Sequence, residues 1–413
     1  MLTIFSGRLI IIRITMFAAM AALILIGIAS IYASDHPIGG QPKQGIQDYQ
    51  KQILFVSAGI VAITLINTAS YRFIGSVSFT LYIINLIILA LLLVSKYFHE
   101  LPFIPDRNGS YRWIIINVLG KDFSIQPSEF CKITYILALA WYLRFKSNCS
   151  TITGLLGPFA LTLLAMVLIL LEPDLGTVLL IMPILFIMVF VAGARPKHLI
   201  FIILLAVVIS PALWFQLHGY QRERISCVVL QSETVKRLAE NHESISKLLT
   251  GKPNFDRKTW ARDGGWQLDH SKLAISSGGF FGFGFRKGPY LETNDLPERH
   301  NDFIFALIAH QFGLFGCMIV LGLYAVIIAC AYEISENVTD PFAKLVTVGI
   351  IAMFCVMVIV NISMTMGLMP ITGLTLPFVS YGGSSLVVSM LAVGILNSIG
   401  RSRPFTVAAK PFE

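Results

Sequence analysis

The stretch LPERHNDF, residues 296–303, decides how the chain is read. A run of ionisable side chains stops at Phe303, and a long apolar segment, residues 303–331, follows at once. A charge at a bilayer boundary costs several kcal/mol unless it is hydrated, paired or put to use. Asp302, the last charge before the apolar run, is therefore the candidate catalytic residue. The alternative for the same side chain is a helix N-cap, since Asp suits that position and its charge complements the helix dipole. The two roles are compatible.

Composition extends the membrane reading to the whole chain. Of 413 residues, 55% are hydrophobic and only 13% charged, and the mean hydropathy is +0.75. A water-soluble domain is not built from such a sequence. A span needs about 20 apolar residues, and ten runs qualify: 10–33, 52–70, 75–97, 129–145, 153–171, 175–193, 198–215, 303–331, 342–364 and 384–400. The expected fold is an all-α integral membrane protein, one polytopic domain over residues 1–413, with about ten transmembrane helices and a long extracytoplasmic loop at 216–301. Ten spans put both termini on one side, which collects more of the short-loop Lys and Arg, among them Arg8, Arg13, Arg72, Arg144, Arg195 and Arg401. That bias favours cytoplasmic termini. The net charge of +8 is spread along the loops, so it reads as topology, with no nucleic-acid partner. The six cysteines show no CxxC spacing, which leaves no disulfide framework or zinc site to expect.

On this topology other joins face outward with the 216–301 loop. In the join between the third and fourth spans, Arg112 stands beside Trp113. The pair is either an interfacial aromatic with a snorkelling base or a phosphate contact beside a platform for a sugar. Pro127 and Ser128 then mark a helix start, with Glu129 in its first turn. Glu129 and Lys132 are three apart and share a helical face, so they can pair at the membrane boundary, as a functional site or as a bridge that sets helix position. The turn Glu172-Pro173-Asp174-Leu175-Gly176-Thr177 carries two acids; from the turn alone, structure is favoured over binding.

Within the long loop, Val235, Leu238, Ile245, Leu248 and Leu249 are spaced for one surface helix over 235–249. A run with an apolar stripe, containing Lys272, leads into the glycine-rich SGGFFGFG at 277–284. No phosphate-loop or dinucleotide pattern is present there, so a flexible turn is favoured over a ligand contact. The join at 367–385 has no charge, yet Pro and Gly interrupt it. Such a segment is either re-entrant and lines a cavity or is a tightly packed loop. Arg112, Trp113, Glu129, Lys132, Lys272, His300, Ser380 and Tyr381 form the candidate substrate-binding set.

Taken together, RWI at 112–114, QPSEF followed by Lys132, EPDLGT at 172–177, SGGFFGFG, LPERHNDFIFA from Leu296 and GLMPITGLTLPFVSYGGSS resemble the SEDS family, the RodA and FtsW proteins of bacterial cell-wall growth. The resemblance covers nearly the whole chain. It implies a ten-span peptidoglycan glycosyltransferase that polymerises lipid II outside the membrane beside a class B penicillin-binding protein. It also implies that Asp302 is the essential acid, that Glu129 and Lys132 are the family's functional pair, and that Arg112 and Trp113 are its outer RW motif. Because the family's donor is α-linked and its product β-linked, the step implied is inverting. LPERH and the short termini favour the RodA side of the family, and hence elongation over division. Asn301 stands where Thr is more usual, His310 and Gln311 where two Glu are common, and the stretch at 230–260 is longer than the family's.

The chemistry demands no cofactor, although a divalent cation is compatible with a pyrophosphate leaving group. Two rivals share many of these features: a flippase for lipid-linked precursor, and an inactive scaffold that recruits a penicillin-binding protein. The ionisable candidates gather on one face with no matching inner set, which favours the enzyme.

Overall fold

The computed structural model describes residues 2–38, 47–97, 103–105, 111–118, 121–145, 150–215, 219–260, 264–292 and 300–402. Residues 296–299 of the opening stretch, 108–110 of the outer join and the tail from 403 lie outside the described residues.

The first apolar runs fold as α1 (Leu2–Asp35), α2 (Asp48–Thr68) and α3 (Tyr71–Tyr97). A hairpin of β1 (Ile114–Val118) and β2 (Lys121–Ile125) follows, then α4 (Pro127–Leu143), α5 (Ile152–Leu171), α6 (Leu175–Val191) and α7 (Pro196–Trp214). Short helices come next: α8 (Gly219–Ser226), α9 (Glu233–Asn241), α10 (Glu243–Thr250), α11 (Arg257–Trp260), α12 (Gly264–Ser277) and α13 (Pro289–Glu292). The chain closes with α14 (Ile304–Glu336), α15 (Pro341–Thr365) and α16 (Gly383–Arg401).

Among the described residues, seven helices, α1, α2, α3, α5, α14, α15 and α16, are long and apolar enough to cross a membrane. The fold is that of an all-α membrane protein. The other three expected spans fold as α6 and α7, which are apolar but shorter over Leu175–Val191 and Pro196–Ala212, and as α4. Helix α4 lies in the centre. Thirteen of its seventeen residues are buried, and α3, α5, α6, α15 and α16 all pack on it. A helix so enclosed cannot leave a charge idle, which is why Glu129 and Lys132 must be satisfied by one another or by the site. Peripheral α7 instead exposes Ile200, Phe201, Leu204 and Val208, as a lipid-facing helix would.

Local sequence sets the helix starts near the site. Pro127 occupies the first turn of α4, where its missing N–H costs nothing. Asp174 caps α6 by accepting from the Thr177 N–H at 3.2 Å, and Asp340 caps α15 by accepting from Phe342 N–H at 3.2 Å.

Two local expectations change, and one element was not foreseen. The join before α4 holds an antiparallel hairpin, with Ile114 opposite Ile125 and Val118 opposite Lys121. The single helix expected over 235–249 is two, because His242 between α9 and α10 is extended (φ −129°, ψ 109°). The bend lets Val235, Ile245 and Leu249 pack on one small core of Leu230, Ala239 and Trp260, which a straight helix would not allow.

The glycine-rich run, expected as a flexible turn, is a packed wedge. Helix α14 breaks at Gly313, whose φ of 62° and ψ of −159° are not helical. The loop fills the break with backbone bonds: Phe283 N–H donates to His310 O at 3.1 Å, Gly284 N–H to Gln311 O at 2.9 Å, and Leu314 N–H to Gly279 O at 2.9 Å. A Cβ on Gly282 would stand 2.2 Å from Gln311 O, so only glycine permits the approach. His310 and Gln311, the departures from the family's acids, hold the wedge: His310 Nδ1 lies 2.9 Å from Ser277 Oγ, and Gln311 Oε1 accepts from Arg286 N–H at 3.1 Å.

Candidate functional site

A cavity of about 780 Å³ opens at one end of the bundle, lined by parts of the chain that are far apart in sequence. The start of α2 brings Lys51 and Phe55, the base of the hairpin brings Arg112, Trp113 and Gln126, and the start of α4 brings Glu129. The turn before α6 supplies Asp174 and Thr177, the approach to α14 supplies Asn301 and Asp302, and the uncharged join supplies Thr372–Leu374, Thr375 and Tyr381–Ser385. The hairpin register explains one of these meetings. Ile114 pairs with Ile125, so Arg112 and Trp113 on the incoming strand lie beside Gln126 on the outgoing one.

Asp302 is half-buried and is not the cap of α14. The cap position falls to Phe303, with no side-chain cap bond. The backbone of Asp302 is tied to its surroundings. Asn361 Nδ2, from buried α15, donates to Asp302 O at 3.0 Å and to Leu374 O at 2.7 Å, which ties the acid to the uncharged join. Ser380 does the same one step back: its Oγ donates to Asn301 O and accepts from Leu376 N–H, both at 2.8 Å. Tyr381 N–H donates to His300 O at 2.8 Å, and the two rings meet edge to face. Burial, with Asp48 and Asp35 nearby, pushes the Tyr381 hydroxyl up to about 12. The join is thus both packed and cavity-lining. Its irregular backbone is satisfied inside the protein by Asn361, Ser380, Gln52 and Tyr324, the condition under which such backbone is tolerated at membrane depth.

Arg112 is largely committed. Its Nε donates to Glu172 O and its Nη2 to Pro173 O, each at 2.6 Å, so it braces the Glu172–Thr177 turn against the hairpin. Asp174 serves the cap and the cavity together. Besides Thr177 N–H, its carboxylate accepts from Thr177 Oγ1 at 2.9 Å, Ser128 Oγ at 2.8 Å and Gln126 Nε2 at 3.3 Å.

Glu172 contrasts with it. Both carboxyl oxygens are buried with no hydrogen-bond partner among the described residues, and burial, then Asp174, push its pKa up to about 9 against the opposing pull of Arg112 and Lys96. The folded state therefore keeps a proton that the unfolded chain releases near its ordinary value of 4.5. Stability is full below that value and falls as pH rises toward 9. Glu172→Gln should raise Tm by about 2–4 °C at pH 8 while changing it by less than about 1 °C at pH 4.5. Thermal unfolding at the two pH values checks this.

Lys132 is fully buried and its Nζ lies 2.6 Å from Glu129 Oε1. Glu129 lines the cavity and Lys132 does not, so the base stands behind the acid. His300 sits beside the cavity wall, its Nε2 3.9 Å from Asp48 Oδ2. Lys272 is placed elsewhere: its Nζ donates to Gln231 Oε1 at 2.8 Å, and Gln231 donates to Gly367 O at 2.8 Å, outside the cavity lining. Among the described residues no group of three or more His, Cys, Asp or Glu is arranged to hold a metal ion.

Sequence reading missed Lys51 and Phe55 at the start of α2 and Arg224 on α8, all of which line the cavity. No local signal marks the first two. For Phe55 the trace is indirect: a Cβ on Gly383 would stand 2.5 Å from its ring.

The whole chain can be set beside known proteins. The family model described as "Cell cycle protein", covering FtsW, RodA and SpoVE, matches residues 9–404. The peptidoglycan glycosyltransferase RodA of Treponema pallidum is 31% identical, over 92% of this chain and 95% of that one. The stage V sporulation protein E of Bacillus subtilis is also 31% identical, over 96% and 97%. A solved structure described as "Structural coordination of polymerization and crosslinking by a peptidoglycan synthase complex" superimposes with a TM-score of 0.72 at 26% identity, covering 94% of this chain and 96% of that one. A match that runs nearly from end to end, over a bundle whose large cavity gathers the RW, QPSEF, EPDLGT and HND motifs, leaves one assignment: the chain belongs to the FtsW/RodA/SpoVE family.

Proposed function

We propose that the chain is a peptidoglycan glycosyltransferase that polymerises lipid II, with Asp302 as general base. The observation that carries this reading is the convergence of Asp302, Arg112, Trp113 and Glu129, distant in sequence, on one cavity of about 780 Å³. That cavity is large enough for sugars and their pyrophosphate. Asp302 removes the proton from the acceptor sugar 4-hydroxyl as that oxygen attacks the anomeric carbon of a lipid-pyrophosphate donor. The bond to the pyrophosphate breaks, and configuration inverts with no sugar-enzyme intermediate. Polyprenyl tails stay in the bilayer, where α7 and the outer faces of α2 and α3 already present apolar surface, while the sugars remain in water.

The cavity end faces outside the cell and the termini the cytoplasm of a bacterial inner membrane, as the Lys and Arg bias supports. A class B penicillin-binding protein is the partner; the similar solved structure is of a synthase complex. The role is elongation, on the RodA-like LPERH stretch.

Purified chain with its penicillin-binding partner, given labelled lipid II, is expected to yield glycan polymer resolved by electrophoresis. Lipid movement across a vesicle without polymer would replace this reading with a flippase, and neither product would leave a scaffold.

A further inference from the structure

Among the described residues that line the cavity, Arg224 alone comes from the segment 219–292. Its placement is built. Arg224 precedes Cys227 by one helical turn, and Cys227 N–H donates to Glu223 O at 2.9 Å, so the turn continues past the end of α8. Buried Cys227 packs with Phe303, Leu268, Met364 and Ile371. Phe303 is the neighbour of Asp302, and Ile371 the neighbour of cavity-lining Thr372. Ser226 Oγ donates to Leu249 O at 2.7 Å and ties the other flank to α10. The segment therefore has a fixed base at α8, and that base brings one guanidinium to the cavity.

Among the described residues, the other cations near the cavity are engaged. Arg112 spends Nε and Nη2 on two carbonyls, Lys51 stands 4.0 Å from Asp48, and Lys132 is sealed behind Glu129. The exposed Arg224 side chain makes no hydrogen bond or ion pair among the described residues. The cavity also carries the carboxylates of Glu129, Asp174 and Asp302, which repel an anionic substrate unless a cation offsets them. A guanidinium with its full fork available matches the paired oxygens of a pyrophosphate.

We infer that Arg224 is a substrate-binding residue that clamps the pyrophosphate of the lipid-linked substrate, delivered by the segment 219–292. This rests on the reading of the cavity as a lipid-pyrophosphate site. The long segment then contributes directly to binding, because its guanidinium completes the charge balance of a cavity otherwise rich in carboxylates.

The test uses the full chain in nanodiscs, with polyprenyl pyrophosphate and the uncharged polyprenol as probes in equilibrium binding. Wild type is expected to bind the pyrophosphate more tightly than the alcohol. Arg224→Gln should weaken pyrophosphate binding by about tenfold and leave the alcohol unchanged, and Arg224→Lys should recover part of the loss. Arg222→Gln removes the same charge two residues away, where the guanidinium donates to Phe215 O at 2.6 Å, and should retain wild-type affinity. Wild-type pyrophosphate affinity in Arg224→Gln, or an equal loss in Arg222→Gln, overturns the assignment of Arg224 while polymerisation by wild type stands. No preference for pyrophosphate in wild type itself overturns the cavity reading along with it.

Discussion

Asp302→Asn is expected to abolish polymerisation of lipid II, with kcat at least ~100-fold lower, while the protein folds and binds its lipid substrate nearly as before. A positioned general base contributes about 100- to 10,000-fold, and the amide keeps the shape of the carboxylate but cannot take the proton. The backbone tie that places this residue survives the change, because Asn361 of α15 donates to Asp302 O. Phe303 rather than Asp302 occupies the cap of α14, so no helix start is lost. The expected Tm change is below about 2 °C. Asp302→Glu moves the same chemistry outward by one methylene and should retain a fraction of wild-type turnover. Wild-type polymer from Asp302→Asn would remove the residue from the base role and point to Glu129 or Asp174, the other carboxylates of the cavity.

Much of this site was legible because membranes penalise idle charge. Asp302 stands at the edge of an apolar run and Glu129 three residues before Lys132, and both patterns survive without tertiary information. The helical bundle was legible for the same reason, through runs of spanning length. Features made by contact between distant segments were not. Arg224 looks like any loop arginine until Cys227 docks on Phe303, and Lys51 like an ordinary first-turn base until α2 packs on α16. The hairpin escaped because IIINV and KDFSI are five residues each, in a join too short and mixed for a strand period to show. The wedge escaped for a different reason. Its glycines are conspicuous, but their partner Gly313 hides inside a run that reads as unbroken helix. Sequence also left capping and catalysis as two readings of one acid at a helix start. Here Asp174 caps α6 and also lines the cavity, while Asp302 lines the cavity and the cap position of α14 falls to Phe303.

Lys132→Met should lower stability by about 3–5 kcal/mol, because it leaves the Glu129 carboxylate buried with no cation beside it. Glu129 Oε2 already lacks a hydrogen-bond partner among the described residues, and Oε1 would lose the ammonium at 2.6 Å. Single-variant inactivity would not separate a folding role from a functional one, so the double variant Glu129→Gln with Lys132→Met decides between them. It removes both charges from an enclosed helix, and such replacements are often neutral or stabilising. Most of the lost stability should therefore return, as read by thermal unfolding. Turnover should not. Glu129 faces the cavity and Lys132 stands behind it, so on the proposed function the base would act through the acid, holding a charged acceptor at the cavity wall. If the double variant recovers polymerisation together with Tm, the pair is a bridge that sets the position of α4 and nothing more. If Tm returns and polymerisation stays below about a tenth of wild type, Lys132 is a positioning residue for the cavity, and the charge buried at the centre of the bundle is there for the reaction.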